Sequence, residues 1–354
     1  MTKELSKIGK HWSKNEPAPD TRNFYMSPVT RAYIIESAFG RDFVDEYRDN
    51  HYYAQDIFVS QYLKNKKVGS VLSLCCGFGS IERRLVSKLP GVQNCLGIDI
   101  ADGALEIARR RAAEEKLSCI SYQAVDLNNY FWEEGKYDLV IANGALHHLK
   151  NLESVLRGIH RTLKPGGILY CCEYVGPDYQ DYPARQLQLI NAAAFLVPSE
   201  LRARRGVPSF LHDRHIWLIA RLQLLSTKEE NADWPGWKKI IARAVRKFIP
   251  PAKDDDFGVV HVSPKNFLLR TDPSECVRSS EIIPVMKQCF PDMEVLPFGG
   301  GILQHALDEA FYKNYDHGNP LHVKCLRMLC QLERHLMDTG EIGIENAFII
   351  AHKK

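Results

Sequence analysis

The stretch Val71-Leu-Ser-Leu-Cys-Cys-Gly-Phe-Gly-Ser80 begins as an apolar strand, passes through a turn carrying Gly77 and Gly79, and ends where helical spacing starts. Glycine in such a turn admits positive φ and lets the backbone approach a ligand closely. The helix start beyond it offers unpaired N–H groups to a carboxylate or a phosphate. Taken by itself the turn is common among α/β proteins, and a plain tight turn explains it equally well.

Outward from this stretch the same alternation repeats. SVLSL, NCLGIDI, CISYQAV, YDLVIAN and GILYCCEYV read as strands, and Ser80–Leu89, Asp102–Lys116 and Asn151–Leu163 carry apolar residues at helical spacing. Strands this rich in Val, Ile, Leu and Cys suit a parallel sheet covered by helices on both faces. After Tyr174 the alternation stops. Residues 183–205, 211–226 and 236–249 read as helical, and 250–264 as a linker punctuated by Pro and charge. Alternation resumes with a helix near 274–290, a strand at Glu294–Pro297, helices within 303–339 and a last strand at Ala347–His352.

The 354 residues are 45% hydrophobic and 25% charged, which suits a globular chain with a core large enough to need no disulfide or metal. A net charge of +3 against 46 basic and 43 acidic side chains gives no reason to expect nucleic acid as a partner. The ten cysteines form no C-x-x-C pair and fall in apolar runs, so they read as buried thiols in a reducing compartment. MTKELSKIGKHW holds no apolar stretch of signal-peptide length, and no run reaches the roughly 18 uninterrupted apolar residues that mark a membrane span. A cytoplasmic protein is expected.

Chemistry concentrates at the strand ends. Asp99 closes the second strand, where a carboxylate can accept both hydroxyls of a ribose; Asp102 is better placed to cap the following helix. Asp126, just past the third strand, suits an adenine amino group or an Asx-turn. Asn143 ends the fourth strand, and Leu163-Lys-Pro-Gly-Gly167 ends a helix and leads into the fifth.

In order and spacing these five segments resemble the motif series of class I S-adenosylmethionine-dependent methyltransferases, strongly over 68–174 and more loosely over 274–298 and 344–352. The pattern along the chain divides it into an N-terminal helical cover (1–60), a core expected to bind S-adenosyl-L-methionine (61–177) with helices on both faces of its sheet, a mostly helical insertion acting as a lid (178–270), and a completion of the sheet (271–354) with a helical insertion near 303–339. The resemblance implies a Rossmann-like sheet of seven strands with the last antiparallel. It implies that Gly77 and Gly79 flank the methionine moiety, that Asp99 with Ile100 holds the ribose, that Asp126 with Leu127 sits at the adenine edge, and that Asn143 lies near the sulfonium. The family's first motif starts with an acid and has three glycines; here Ser73 and Cys75 replace the acid and the first glycine, and Glu82 is a candidate to supply the charge.

His147 and His148 follow the fourth strand and are candidates for a base or an orienting group, with packing at a helix start as the bland alternative. Their spacing to other ligand types does not suggest a metal. Glu173 is a third catalytic candidate, and Tyr174 and His305 are candidates to contact the acceptor. The basic face of 236–249 suits weak contact with a membrane surface, or plain solvation of a packed helix. The expected acceptor is a small metabolite or a saccharide, methylated on oxygen or nitrogen. The competing readings are a non-catalytic cofactor-binding module, favoured by Ser73 and Cys75, and a nicotinamide-dependent oxidoreductase, disfavoured by Glu82 at the third fingerprint position.

Overall fold

The computed structural model describes residues 3–14, 24, 28–40, 54–201, 265, 269, 272–307 and 309–354. The helices expected at 211–226 and 236–249 and the linker at 250–264 lie outside them, as does most of the expected lid.

The chain opens with α1 (Lys3–Lys14), α2 (Pro28–Phe39) and α3 (Ala54–Phe58), the last continuing as a wider turn over Val59–Leu63. The alternating core follows as β1 (Ser70–Leu74), α4 (Ser80–Ser87), β2 (Asn94–Asp99), α5 (Asp102–Glu114), β3 (Ile120–Ala124), β4 (Tyr137–Asn143), α6 (Leu152–Thr162) and β5 (Leu163–Tyr174). Beyond it come α7 (Ala184–Leu196), α8 (Ile282–Cys289), β6 (Glu294–Gly299), α9 (Leu303–Ala306), α10 (Glu309–Asn314), α11 (Pro320–Asp338) and β7 (Asn346–His352).

The strands form one seven-stranded sheet in the order β3-β2-β1-β4-β5-β7-β6. β1 to β5 run parallel, and β7 pairs antiparallel with both β5 and β6. The strand period explains the burial on both faces. Val71, Leu139, Ile141, Ile168, Tyr170, Phe348 and Ile350 point into one core with Phe58 and Leu85. Their neighbours Leu72, Val140, Ala142, Leu169, Cys171, Ala347 and Ile349 point into the other, which α6 closes with Leu152, Val155, Leu156 and Ile159 at i, i+3, i+4 and i+7. At roughly 1.5–3 kcal/mol for each large side chain fully buried, these two layers dominate the stability of the sheet.

One expected boundary moves. Leu163-Lys-Pro-Gly-Gly167 is already strand, because α6 ends at Thr162 and Leu163 is extended with ψ 140. Tyr137 pairs with Leu163, yet Leu139 pairs with Ile168, so the Pro–Gly–Gly segment is a bulge at the start of β5, with Gly166 at φ +74.

The positions of the two outer helical pieces matter for the site. α1 lies across α5, so closely that a Cβ on Gly9 would stand 3.2 Å from the Ile100 carbonyl. On the other flank, the buried Glu333 of α11 accepts backbone N–H groups of Gly300, Ile302 and Leu303 and the hydroxyl of Tyr33 on α2. That one carboxylate ties α2 and α11 to the turn after β6. No helix among the described residues is long and apolar enough to cross a membrane.

Candidate active site

The turn after β1 sits at the carboxyl end of an inner strand, beside the switch between β1 and β4 where ligands of open α/β sheets gather. Cys75, Gly77 and Gly79 have φ of +46, +51 and +74. Cys75 thus holds a left-handed backbone, at a cost of order 1–3 kcal/mol for a residue with a side chain. A Cβ on Gly79 would run into Tyr122, Glu82 and Arg83, whereas nothing lies within 4 Å of one on Gly77. Gly79 is therefore needed for packing and conformation, and Gly77 faces open space at the mouth of the turn.

Ser73 turns away from that space and donates its hydroxyl to Glu82 Oε2 at 3.2 Å. Both residues are buried, and burial pushes the Glu82 carboxyl up to about 7. A carboxyl thus lies beneath the turn, on α4, where the head of the motif has Ser73. Asp99 is half-buried at the end of β2 and grips the turn from the side. Its Oδ2 accepts the Gly77 N–H at 2.8 Å and its Oδ1 accepts the Ala101 N–H at 2.7 Å. Burial raises its pKa, with the N–H groups of Ala101, Gly77 and Ile100 opposing that shift. The expected cap at Asp102 does not form: Ala101 holds the cap position without a side-chain bond, and Asp102 stands exposed 3.9 Å from Arg109. Asp99 satisfies Ala101 instead.

The next strand ends supply the rest of the rim. Asp126 is half-buried after β3, where its Oδ2 accepts the Asn129 amide at 2.9 Å and its carbonyl accepts the Asn129 N–H at 3.0 Å. Leu127 beside it is buried, and Ile100 and Asn143 are half-buried. These residues line the carboxyl edge of β2, β3 and β4 in the order the motif series implies.

Beyond Asn143 the chain makes a tight turn over Gly144 and a single helical turn at Leu146–His148. Glu173, fully enclosed on β5, organises it. Its Oε1 accepts the N–H groups of Ala145 and Leu146 at 2.7 and 2.9 Å, and its Oε2 lies 2.8 Å from His147 Nδ1. Burial by itself would lower the His147 pKa, but the Glu173 hydrogen bond and the charges of Glu173, Glu275 and Asp272 outweigh it and raise it. His148 goes the other way, lowered to about 4 by burial and by its neighbour His147. Its Nδ1 lies 3.2 Å from Ser274 Oγ and 3.7 Å from Asp272 Oδ2, while Trp12 of α1 donates to that same Asp272 oxygen at 2.8 Å. Trp12 also packs edge-on against the His148 ring. Asp272, Ser274 and Glu275 were not legible as site residues, because they lie more than 120 positions away, at the start of the helix expected near 274–290, which begins only at Ile282.

Tyr174 and His305, expected separately at the acceptor side, are joined through a residue the sequence reading missed. The Tyr182 hydroxyl stands 3.3 Å from that of Tyr174 and 3.0 Å from His305 Nε2. Burial lowers the His305 pKa to about 4. Glu345, buried just before β7, receives the Gln186 amide at 2.9 Å, and burial pushes its carboxyl up to about 7. One edge of the sheet thus carries an open glycine turn clamped by a carboxylate, a carboxylate-held imidazole, and a buried tyrosine–histidine cluster.

Comparison with known proteins agrees with this arrangement. Residues 71–167 match the family model described as a methyltransferase domain. The demethylmenaquinone methyltransferase of Lactococcus lactis is 31% identical over 128 residues, covering 36% of this chain and 51% of that protein. A sterol 24-C-methyltransferase of Aspergillus fumigatus is 28% identical over 198 residues, covering 49% of this chain and 50% of that one. The chain spans about half the length of these curated relatives. A phosphoethanolamine N-methyltransferase 2 of Haemonchus contortus, solved with phosphomonomethylethanolamine and S-adenosylhomocysteine, superposes with a TM-score of 0.44 at 17% identity, over 92% of this chain and 57% of that one. The strand order with its reversed β7, the turn-and-carboxylate pair at β1 and β2, and the match over 71–167 identify that segment as a methyltransferase domain of the class I S-adenosylmethionine-dependent kind.

Proposed function

We propose that the chain transfers a methyl group from S-adenosyl-L-methionine to an oxygen or nitrogen of a small metabolite or saccharide. The observation that carries this reading is the clamp of Asp99 on the Gly77 turn beside open space. The residues suit the cofactor. Asp99 keeps acceptor capacity on both oxygens for ribose hydroxyls, Gly77 leaves room for the amino-acid tail, Asp126 with Leu127 borders the adenine, and Asn143 faces the sulfur end. When bound, S-adenosyl-L-methionine supplies a methyl group on a sulfonium, whose departure leaves a neutral thioether.

Holding the acceptor in line with that methyl group removes several kcal/mol of the barrier. His147 takes the acceptor's proton. With Nδ1–H donated to Glu173, the ring's Nε2 carries the free lone pair, and the buried carboxylate stabilises the imidazolium that results. Tyr174, Tyr182 and His305 border the acceptor, while α1 covers the cleft beside His148 through Trp12. Relatives whose names give quinone and sterol acceptors support a small-molecule acceptor.

The test is to follow S-adenosylhomocysteine formation over a panel of hydroxylated and amine acceptors. His147→Gln is expected to lower kcat by about 10²–10⁴-fold while leaving S-adenosylhomocysteine affinity unchanged. Absence of cofactor binding would remove the reading. Tight binding with no turnover over the panel would favour a binding module, the reading to which the strained Cys75 and the inward-turned Ser73 point.

A further inference from the structure

We propose that His147, His148 and Glu275 form a binding site for one divalent transition-metal ion of the Zn2+ type at the acceptor edge of the cleft. Each residue offers one ligand atom, and the three atoms lie within 4.8 Å of one another. Zn2+ bonds nitrogen and oxygen at about 2.0–2.2 Å, so ligand atoms around one ion stand roughly 3.4 Å apart. The widest pair therefore needs to close by little more than about 1 Å, a side-chain adjustment.

The surroundings have the form of a second layer of ligation. Glu173 Oε2 holds His147 Nδ1, the carboxylate–imidazole pairing that fixes the ring of a metal-bound histidine. Glu275 is held at its other oxygen, since Oε1 accepts from the Cys276 thiol at 3.1 Å, and Oε2 is the oxygen that stands 3.9 Å from His148 Nδ1. Asp272 Oδ2 lies 3.7 Å from the same nitrogen, bringing a second negative charge to the rim. Two imidazoles with a carboxylate favour Zn2+ over Mg2+ or Ca2+, which take all-oxygen sets. The three residues come from two segments, the turn after β4 and the stretch before α8, and Trp12 on Asp272 adds α1. An ion here would fasten all three and take up the imidazole that the proposed methyl transfer uses as its base, so an occupied site is an inhibited one. Only that consequence rests on the proposed function; the ligation stands on geometry.

The experiment uses the full chain, stripped with chelator and titrated with Zn2+ by calorimetry and with Co2+ by visible absorption. The expected result is one equivalent of either metal, with d–d bands of low-coordinate Co2+ and no thiolate charge-transfer band. Glu275→Gln and His148→Ala should each weaken binding at least tenfold while circular dichroism and S-adenosylhomocysteine binding stay as in the wild type. Should His148→Ala misfold, Glu275→Gln decides alone. Unsaturable heats, a thiolate band, or equal affinity in the variants would overturn the proposal. Failure of S-adenosylhomocysteine to bind the wild type would overturn the methyltransferase reading and leave the metal result untouched.

Discussion

His147 is poised between two influences: enclosure, which disfavours its charge, and Glu173 at 2.8 Å, which favours it and wins. A base must be neutral to act, so activity should fall on the acid side with a midpoint above the ordinary imidazole value of about 6.5. Glu173→Gln removes the charge and should move that midpoint down, as a pH profile of kcat/KM would show; a midpoint unmoved by the change would mean another group titrates. The linkage to stability has the opposite slope. Because the folded-state pKa is raised, the pair's contribution to folding is fully present below His147's unfolded value and is lost as pH rises through its folded one. At this scale the sequence was informative where chemistry and strand ends coincide, as at Asp99, His147 and Glu173. It was misleading at Asp102, because the carboxylate three positions earlier already serves the helix start.

At the scale of elements, the alternation of two periods was legible because the inner strands β1, β4 and β5 are buried on both faces and the intervening helices on one. What was not legible is close approach between elements. Gly158 lies in the middle of α6, where propensity alone prefers Ala by about 1 kcal/mol. A Cβ there would strike the Trp132 ring, a rigid group with little freedom to yield. Gly158→Ala is therefore expected to destabilise the fold by about 1–3 kcal/mol, the usual cost of overpacking, despite the helical gain. Urea unfolding measures it, and a stabilised variant would show that Trp132 moves aside freely. The bulge at the start of β5 escaped the reading for a related reason: Pro and Gly after a helix mark its end equally well whether the chain next enters a loop or an irregular strand.

At the scale of the molecule, the crevice exists because the strand order reverses direction between β1 and β4, so the connections leave to opposite sides and their ends stand apart. Residues separated by more than a hundred positions meet there, among them His148 with Ser274 and Tyr182 with His305. No spacing in a single sequence reveals such pairs, whereas the nucleoside end of the site is built from consecutive strand ends and can be read off directly. The central claim is that Asp99 and the Gly77 turn hold the cofactor, and it is tested by calorimetric and thermal-shift titration of S-adenosylhomocysteine into the wild type and Asp99→Ala. The account predicts saturable binding to the wild type, stabilising it by about 2.7 kcal/mol at a hundredfold excess over Kd, and at least a tenfold loss of affinity in a folded Asp99→Ala. Equal affinity in the two proteins would contradict it.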